Sequence, residues 1–175
     1  MFRHVYRIKK NEDFQNLKIG RIKIEREVMR VVVQRVKHAS CTVDGKITGA
    51  IENGLCLFVG FKPEDDQAVM QKVIRKIVNL RIFDDEQGVM NRSVLDVEGT
   101  VLSISQFTLY ANCKKGNRPS YGLAANAETA SKLYDQFNDL LEKEIHVEKG
   151  IFQADMKIDL LNDGPVTIIL DSDEL

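Results

Sequence analysis

The sequence predicts an α+β domain: a curved, barrel-like, mostly antiparallel β-sheet with two α-helices flanking it. Three observations point there. Apolar and β-branched runs with a period of two fill much of residues 29–61, 100–110 and 152–169, whereas the stretches after Pro63 and after Asn126 repeat their apolar residues at helical spacing. Turn pairs such as Asp44-Gly45 and Asn53-Gly54 part the first extended runs by the short distances that hairpins require. At 175 residues, 43% hydrophobic and 29% charged, the chain has the size and apolar content of one core rather than two.

Residues 1–28 stand apart, with eight Lys/Arg against four Asp/Glu and no steady apolar period before Ile19, Ile22 and Ile24. Lacking a continuous apolar stretch, they do not read as a secretory signal, and Glu12, Asp13, Glu25 and Glu27 disfavour a transit peptide. An upstream start, a cloning remnant and a genuine basic arm are three open readings of this extension, and the domain proper is expected over residues 29–175. There Arg30-Val31-Val32-Val33-Gln34-Arg35-Val36 is one expected strand and Ser40-Cys41-Thr42-Val43 a second, paired across Asp44-Gly45 with residues 46–51. Leu55-Cys56-Leu57-Phe58-Val59-Gly60-Phe61 is apolar on both faces, the mark of a central strand.

After Pro63, Glu64-Asp65-Asp66 offers an N-cap, and Val69, Val73, Ile77 and Leu80 predict a helix over residues 65–79. Arg81-Ile82-Phe83 reads as a short strand, residues 84–88 as a polar turn, and residues 100–110 as the strongest strand of the chain. A loop-like stretch, 111–125, carries Lys114, Lys115 and Arg118 but no acid. Asn126 caps a second helix, expected to reach Glu144, whose apolar face is Ala130, Leu133, Tyr134, Phe137, Leu140 and Leu141. Extended structure returns at 145–148 and 152–160, and a corner at Gly164-Pro165 leads into the strand Val166-Thr167-Ile168-Ile169. Turn chemistry alone reads that corner as an ordinary trans turn, although a peptide bond before proline is the one kind that adopts cis at modest cost.

Charge and composition exclude more than they assign. Lys plus Arg number 25 against 26 for Asp plus Glu, so a nucleic-acid contact has to come from a local patch. Cys41, Cys56 and Cys113 are odd in number and lack C-x-x-C spacing, which argues for a reducing cytoplasm and against a disulfide framework. His4, His38 and His146 have no second ligand at metal spacing, so neither a metal nor another cofactor is expected. No apolar run approaches the roughly 18 residues of a membrane span.

The chemistry concentrates in Ser105-Gln106-Phe107-Thr108-Leu109, where Ser105, Gln106 and Thr108 interrupt a core-grade strand. An edge strand with one solvated face would explain these polar residues; so would a substrate-binding face. A Thr108 nucleophile needs a base, and the chain offers no Gly-x-Ser-x-Gly elbow and no evident His partner. A site of backbone and amide donors that fixes the substrate and stabilises an oxyanion suits these residues better. Lys114, Lys115 and Arg118 follow directly, either as a solvated loop or as phosphate contacts.

Together these features resemble the D-aminoacyl-tRNA deacylase family, also called D-tyrosyl-tRNA deacylase. Ser105-Gln106-Phe107-Thr108-Leu109 is similar to one of its two signature motifs and Asn162-Asp163-Gly164-Pro165-Val166-Thr167 to the other, with likeness extending from Met29 to about Asp171. The resemblance implies a homodimeric cytoplasmic hydrolase, with active sites at the dimer interface, that cleaves the ester between a D-amino acid, or mischarged glycine, and tRNA. It implies a cross-subunit Gly164-cisPro165 dipeptide that rejects L-amino acids, with Arg35 orienting it. It further implies a scissile ester lined by Ser105, Gln106, Phe107 and Thr108, and an adenosine pocket bordered by Phe152 and Met156. Whether Thr108 acts as a nucleophile or the RNA 2′-hydroxyl assists is left open. Two rivals are a catalytically silent RNA-binding module of the same fold, and a small-molecule esterase with Thr108 as nucleophile.

Overall fold

A computed structural model describes residues 29–175, so the basic extension 1–28 lies outside the described residues. One long strand organises the rest. Arg30–Val43 (β1) absorbs both strands expected before Asp44 into a single element of 14 residues. Its outer edge pairs antiparallel with Lys157–Asp171 (β8) along almost its whole length. Its inner edge is shared, the first half pairing with Gly54–Gly60 (β3) and the second with Lys46–Ile51 (β2). Such sharing bends β1 and curls the sheet towards a barrel. The hairpin at Asp44-Gly45 has φ of 50° and 76° at its two central residues, as the type I′ geometry requires.

The sheet continues from β3 to Thr100–Ser105 (β6) and then to Val147–Lys149 (β7), and both pairings are parallel. The sheet is therefore mostly antiparallel, as expected, with a parallel part at β3, β6 and β7 that the sequence does not announce. The reason lies in the helices. Gln67–Val78 (α1) and Ala127–Leu141 (α2) are crossovers between neighbouring strands, and a crossover of that length returns the chain parallel. Between α1 and β6 a small hairpin forms from Phe83–Asp84 (β4) and Met90–Arg92 (β5).

Both helices are capped as their sequences direct. The Asp66 carboxylate accepts from the N–H of Val69 at 2.9 Å, and the Asn126 side chain accepts from Thr129 at 2.9 Å. The second helix ends at Leu141, one turn short of Glu144, because residues 142–144 tighten into a turn. Two cores follow from β3 being buried on both faces. Leu55, Leu57 and Val59 meet Met70, Val73, Ile77, Phe137 and Leu141 of the helices. Inside the barrel, Cys56 meets Val36, Cys41, Leu102 and Ile104. Among the described residues, no helix is long and apolar enough to cross a membrane.

Candidate active site

The expected strand 100–110 stops at Ser105, and Phe107–Tyr110 turns into a single 3-10 turn. A strict period of two would put Gln106 and Thr108 on one face and Ser105 and Phe107 on the other, and the strand end at Ser105 re-aims them. Tertiary packing overrides β propensity here. Tyr110 is buried with its hydroxyl donating to the Gly60 carbonyl at 3.3 Å, and the Arg30 guanidinium donates to the Leu109 carbonyl at 2.9 Å. Arg30 is itself locked on Asp171 by contacts of 2.6 and 3.0 Å. Gly60 lets the turn approach, since a Cβ there would stand 3.0 Å from the Tyr110 ring and 3.1 Å from the Gln106 carbonyl. The Gln106 N–H ends the β3 ladder on the Val59 carbonyl at 2.8 Å. Next in sequence, the N–H groups of Phe107 and Thr108 have no acceptor among the described residues.

Beside this strand end lies a cavity of about 790 Å³, a volume suited to a small ligand. Ser105, Gln106 and Phe107 line it together with Phe152 and Met156, so five of the expected site residues share one wall system. Thr108 stands next to it, and its hydroxyl accepts a short hydrogen bond from the Gln106 amide. Among the other walls, the sequence pattern does not mark as site residues Phe61, Ile104, the small residues Ala125, Ala127 and Ala130, or Gln153. Alanines at the start of α2 are the one legible hint, because small side chains leave room where a helix meets a strand end. Gln153, at φ 63°, turns residues 151–154 over the cavity and carries no sequence signal. Tyr134 backs Phe152 at a ring distance of 6.2 Å and donates to the Ser103 carbonyl at 2.7 Å; burial pushes its phenol up to about 12.

Arg35, Gly164 and Pro165 form a separate cluster that does not line this cavity. The expected corner between two strands is instead an outward loop within the single strand β8. Gln34 pairs with Thr167 and Val36 with Asn162, leaving residues 163–166 opposite Arg35 alone. The Gly164–Pro165 peptide bond is cis, and both residues are exposed. Arg35, 6% exposed, donates to the Asp163 carbonyl at 3.2 Å and to the Ile82 carbonyl at 2.6 Å, and lies 3.3 Å from the Asp163 carboxylate. Asn162 closes the base of the loop by donating to the carbonyls of Arg35 and Val166, both at 3.0 Å. Lys37 adds a contact to Asp163 at 3.2 Å.

The basic loop is a third region. Asn112 and Ser120 exchange backbone hydrogen bonds of 2.8 and 3.1 Å, which pinches off residues 113–119 with Lys114, Lys115 and Arg118 exposed. Lys114 lines a second cavity of about 260 Å³ with Arg30, Lys62 and Tyr110. Among the described residues, no group of three or more His, Cys, Asp or Glu side chains could hold a metal.

A barrel-like sheet with two crossover helices, a ligand-sized cavity beside a strand end and an outward dipeptide loop define an α+β domain of the deacylase type. The model of the D-Tyr-tRNA(Tyr) deacylase family matches residues 32–171, and the chain belongs to that family, whose members hydrolyse D-aminoacyl-tRNA. Among solved structures, a c-Myc DNA Unwinding Element Binding Protein is 42% identical, with a TM-score of 0.76 over 81% of this chain and 97% of that one. The structure described as a probable eukaryotic D-amino acid tRNA deacylase is 16% identical, with a TM-score of 0.71 over 82% and 99%; that likeness bears on the fold alone.

Proposed function

We propose that this protein hydrolyses the ester that joins a D-amino acid, or mischarged glycine, to the terminal adenosine of tRNA, and that it rejects L-aminoacyl-tRNA. The observation that carries the reading is the meeting of Ser105, Gln106 and Phe107 with Phe152 and Met156 around one cavity. Adenosine lies against Phe152 and Met156, and the scissile carbonyl faces the strand end. The N–H groups of Phe107 and Thr108 stabilise the oxyanion as water adds to the carbonyl carbon. The acyl–oxygen bond then breaks, and the departing ribose oxygen takes a proton. The RNA 2′-hydroxyl assists this step. Thr108 is structural, because its hydroxyl bonds to an amide rather than to a base.

Chirality is read across a homodimer. Gly164 and Pro165 stand away from their own chain's cavity, held outward by Arg35, which fits insertion into the partner's cavity. Carbonyls fixed on the α-ammonium leave space for hydrogen or a D-side chain and place backbone where an L-side chain would go. Lys114, Lys115 and Arg118 contact tRNA phosphates. Three free cysteines accord with a cytoplasmic enzyme. All the residues given a role here fall within 29–175, and a chain starting at Met29 that keeps full activity would make residues 1–28 dispensable.

The test is deacylation of D-tyrosyl-, L-tyrosyl- and glycyl-tRNA side by side. Loss of the D-tyrosyl and glycyl esters with the L-tyrosyl ester intact is expected. If both D-tyrosyl- and glycyl-tRNA survive, the enzyme reading falls and a silent RNA-binding module replaces it. A nucleic-acid partner other than tRNA is favoured by one finding, the DNA-element binding named for the 42%-identical relative; competition of that DNA against tRNA decides it.

A further inference from the structure

A solvent-facing aromatic pair, Phe107 and Tyr121, stands at the large cavity. Phe107 is 55% exposed and Tyr121 38%, with ring centroids 5.0 Å apart at an interplanar angle of 72°. Phe107 also lines the large cavity, while Tyr110, at the other end of the same 3-10 turn, lines the small one. At a rise of about 2.0 Å per residue that turn spans roughly 6 Å, so the two cavities sit close together. The small cavity is cationic. Lys62 lies over the Tyr110 ring at 5.7 Å, and the Lys114 ammonium makes no hydrogen bond or ion pair among the described residues. No acid occurs in residues 111–125. Exposed aromatic rings beside cations are the features by which proteins hold unpaired nucleotides, rings stacking on bases and cations following phosphates.

We infer that the Phe107–Tyr121 pair is a stacking platform for the unpaired base that precedes the terminal adenosine of the RNA, and that the cleft of Lys62 and Lys114 takes the phosphate beside it. The inference rests on the deacylase reading, which seats the terminal adenosine in the adjoining cavity. It adds a second nucleotide subsite, and it gives Tyr121 a part in binding RNA.

The experiment uses the full chain and an RNA hairpin with a single-stranded 3′ tail, carrying the fluorescent base 2-aminopurine just before the terminal adenosine. Stacking quenches that base. Quenching by the wild type is expected, with about tenfold weaker binding and loss of the quench in Tyr121→Ala, and retention of both in Tyr121→Phe. Lys114→Ala should keep the quench at saturation while lowering the salt dependence of binding by about one unit of log–log slope. In parallel, the preference for D-tyrosyl ester on a trinucleotide over the same ester on adenosine alone should fall about tenfold in Tyr121→Ala. An undiminished quench in Tyr121→Ala overturns the inference, as does a change of oligomeric state in that variant with RNA binding unmoved, which would make the patch a protein interface. Quenching without hydrolysis leaves the platform standing and removes the deacylase reading; hydrolysis with Tyr121→Ala silent in both assays does the reverse.

Discussion

Two polar interruptions of apolar strands, the end of β6 at residues 105–110 and the outward loop of β8 at 163–166, are held in opposite ways. The strand end is set by packing from behind, with Tyr110 in the core, Gly60 admitting the turn and Arg30 on the Leu109 carbonyl. The outward loop hangs on a buried cation, since Arg35 reaches both the backbone and the carboxylate of Asp163. Distributed packing tolerates the loss of one group. A single buried guanidinium does not, because the Ile82 carbonyl it leaves is a buried polar group without that bond.

The largest effect should therefore come from Arg35→Met. About 1–3 kcal/mol of stability is expected to go, and thermal unfolding measures it. Deacylation of D-tyrosyl-tRNA should fall by about 100-fold as the loop loses its aim. Equal losses from a substitution of the hydroxyl at Thr108 would erase the contrast between the two regions.

Asp65 sharpens the comparison from the other side. It lies under the strand end, its carboxylate accepting from the Lys62 N–H at 2.7 Å while its second oxygen is buried without a partner among the described residues. Burial raises its pKa from 3.8 to about 6. The folded chain thus binds this proton more tightly than the unfolded one, so stability is highest below about pH 4 for this group and falls as pH rises towards 6. The change is roughly 2–3 kcal/mol. Asp65→Asn should flatten that slope and raise the urea midpoint at neutral pH, with little change in acid; a parallel pH profile in both proteins would contradict the assignment.

Gly164→Ala comes next. At φ +122° an L-residue is strained, and the added Cβ would stand 2.9 Å from Val166 Cγ2 and 3.0 Å from the Arg35 guanidinium. A loss of about 1–3 kcal/mol is expected, together with a lower ratio of D- to L-tyrosyl-tRNA hydrolysis. The smallest effect belongs to Thr108→Ala, with less than about threefold change in deacylation, since only the hydrogen bond from Gln106 is removed. A loss of several orders of magnitude would make Thr108 the nucleophile and favour the esterase reading.

The same two regions mark how far the residues alone carry the fold and site. Helix caps at Asp66 and Asn126, the Asp44-Gly45 hairpin and the doubly buried strand from Leu55 are local decisions, made by side chains within a few positions of the backbone they control. The parallel pairing of β3, β6 and β7, the fusion of two expected strands into β1 and the stop of β6 at Ser105 depend on partners far along the chain. Arg30 meets Leu109, and Arg35 meets Asp163, across 79 and 128 residues. The sequence by itself determined the fold class, the two polar motifs and, through their likeness to a family, the reaction to look for. Only the tertiary structure decided that Ser105, Gln106, Phe107, Phe152 and Met156 share a cavity while Gly164 and Pro165 face away from it. Periodicity reports which side of its own element a residue occupies, whereas a cavity is defined by the gap between elements.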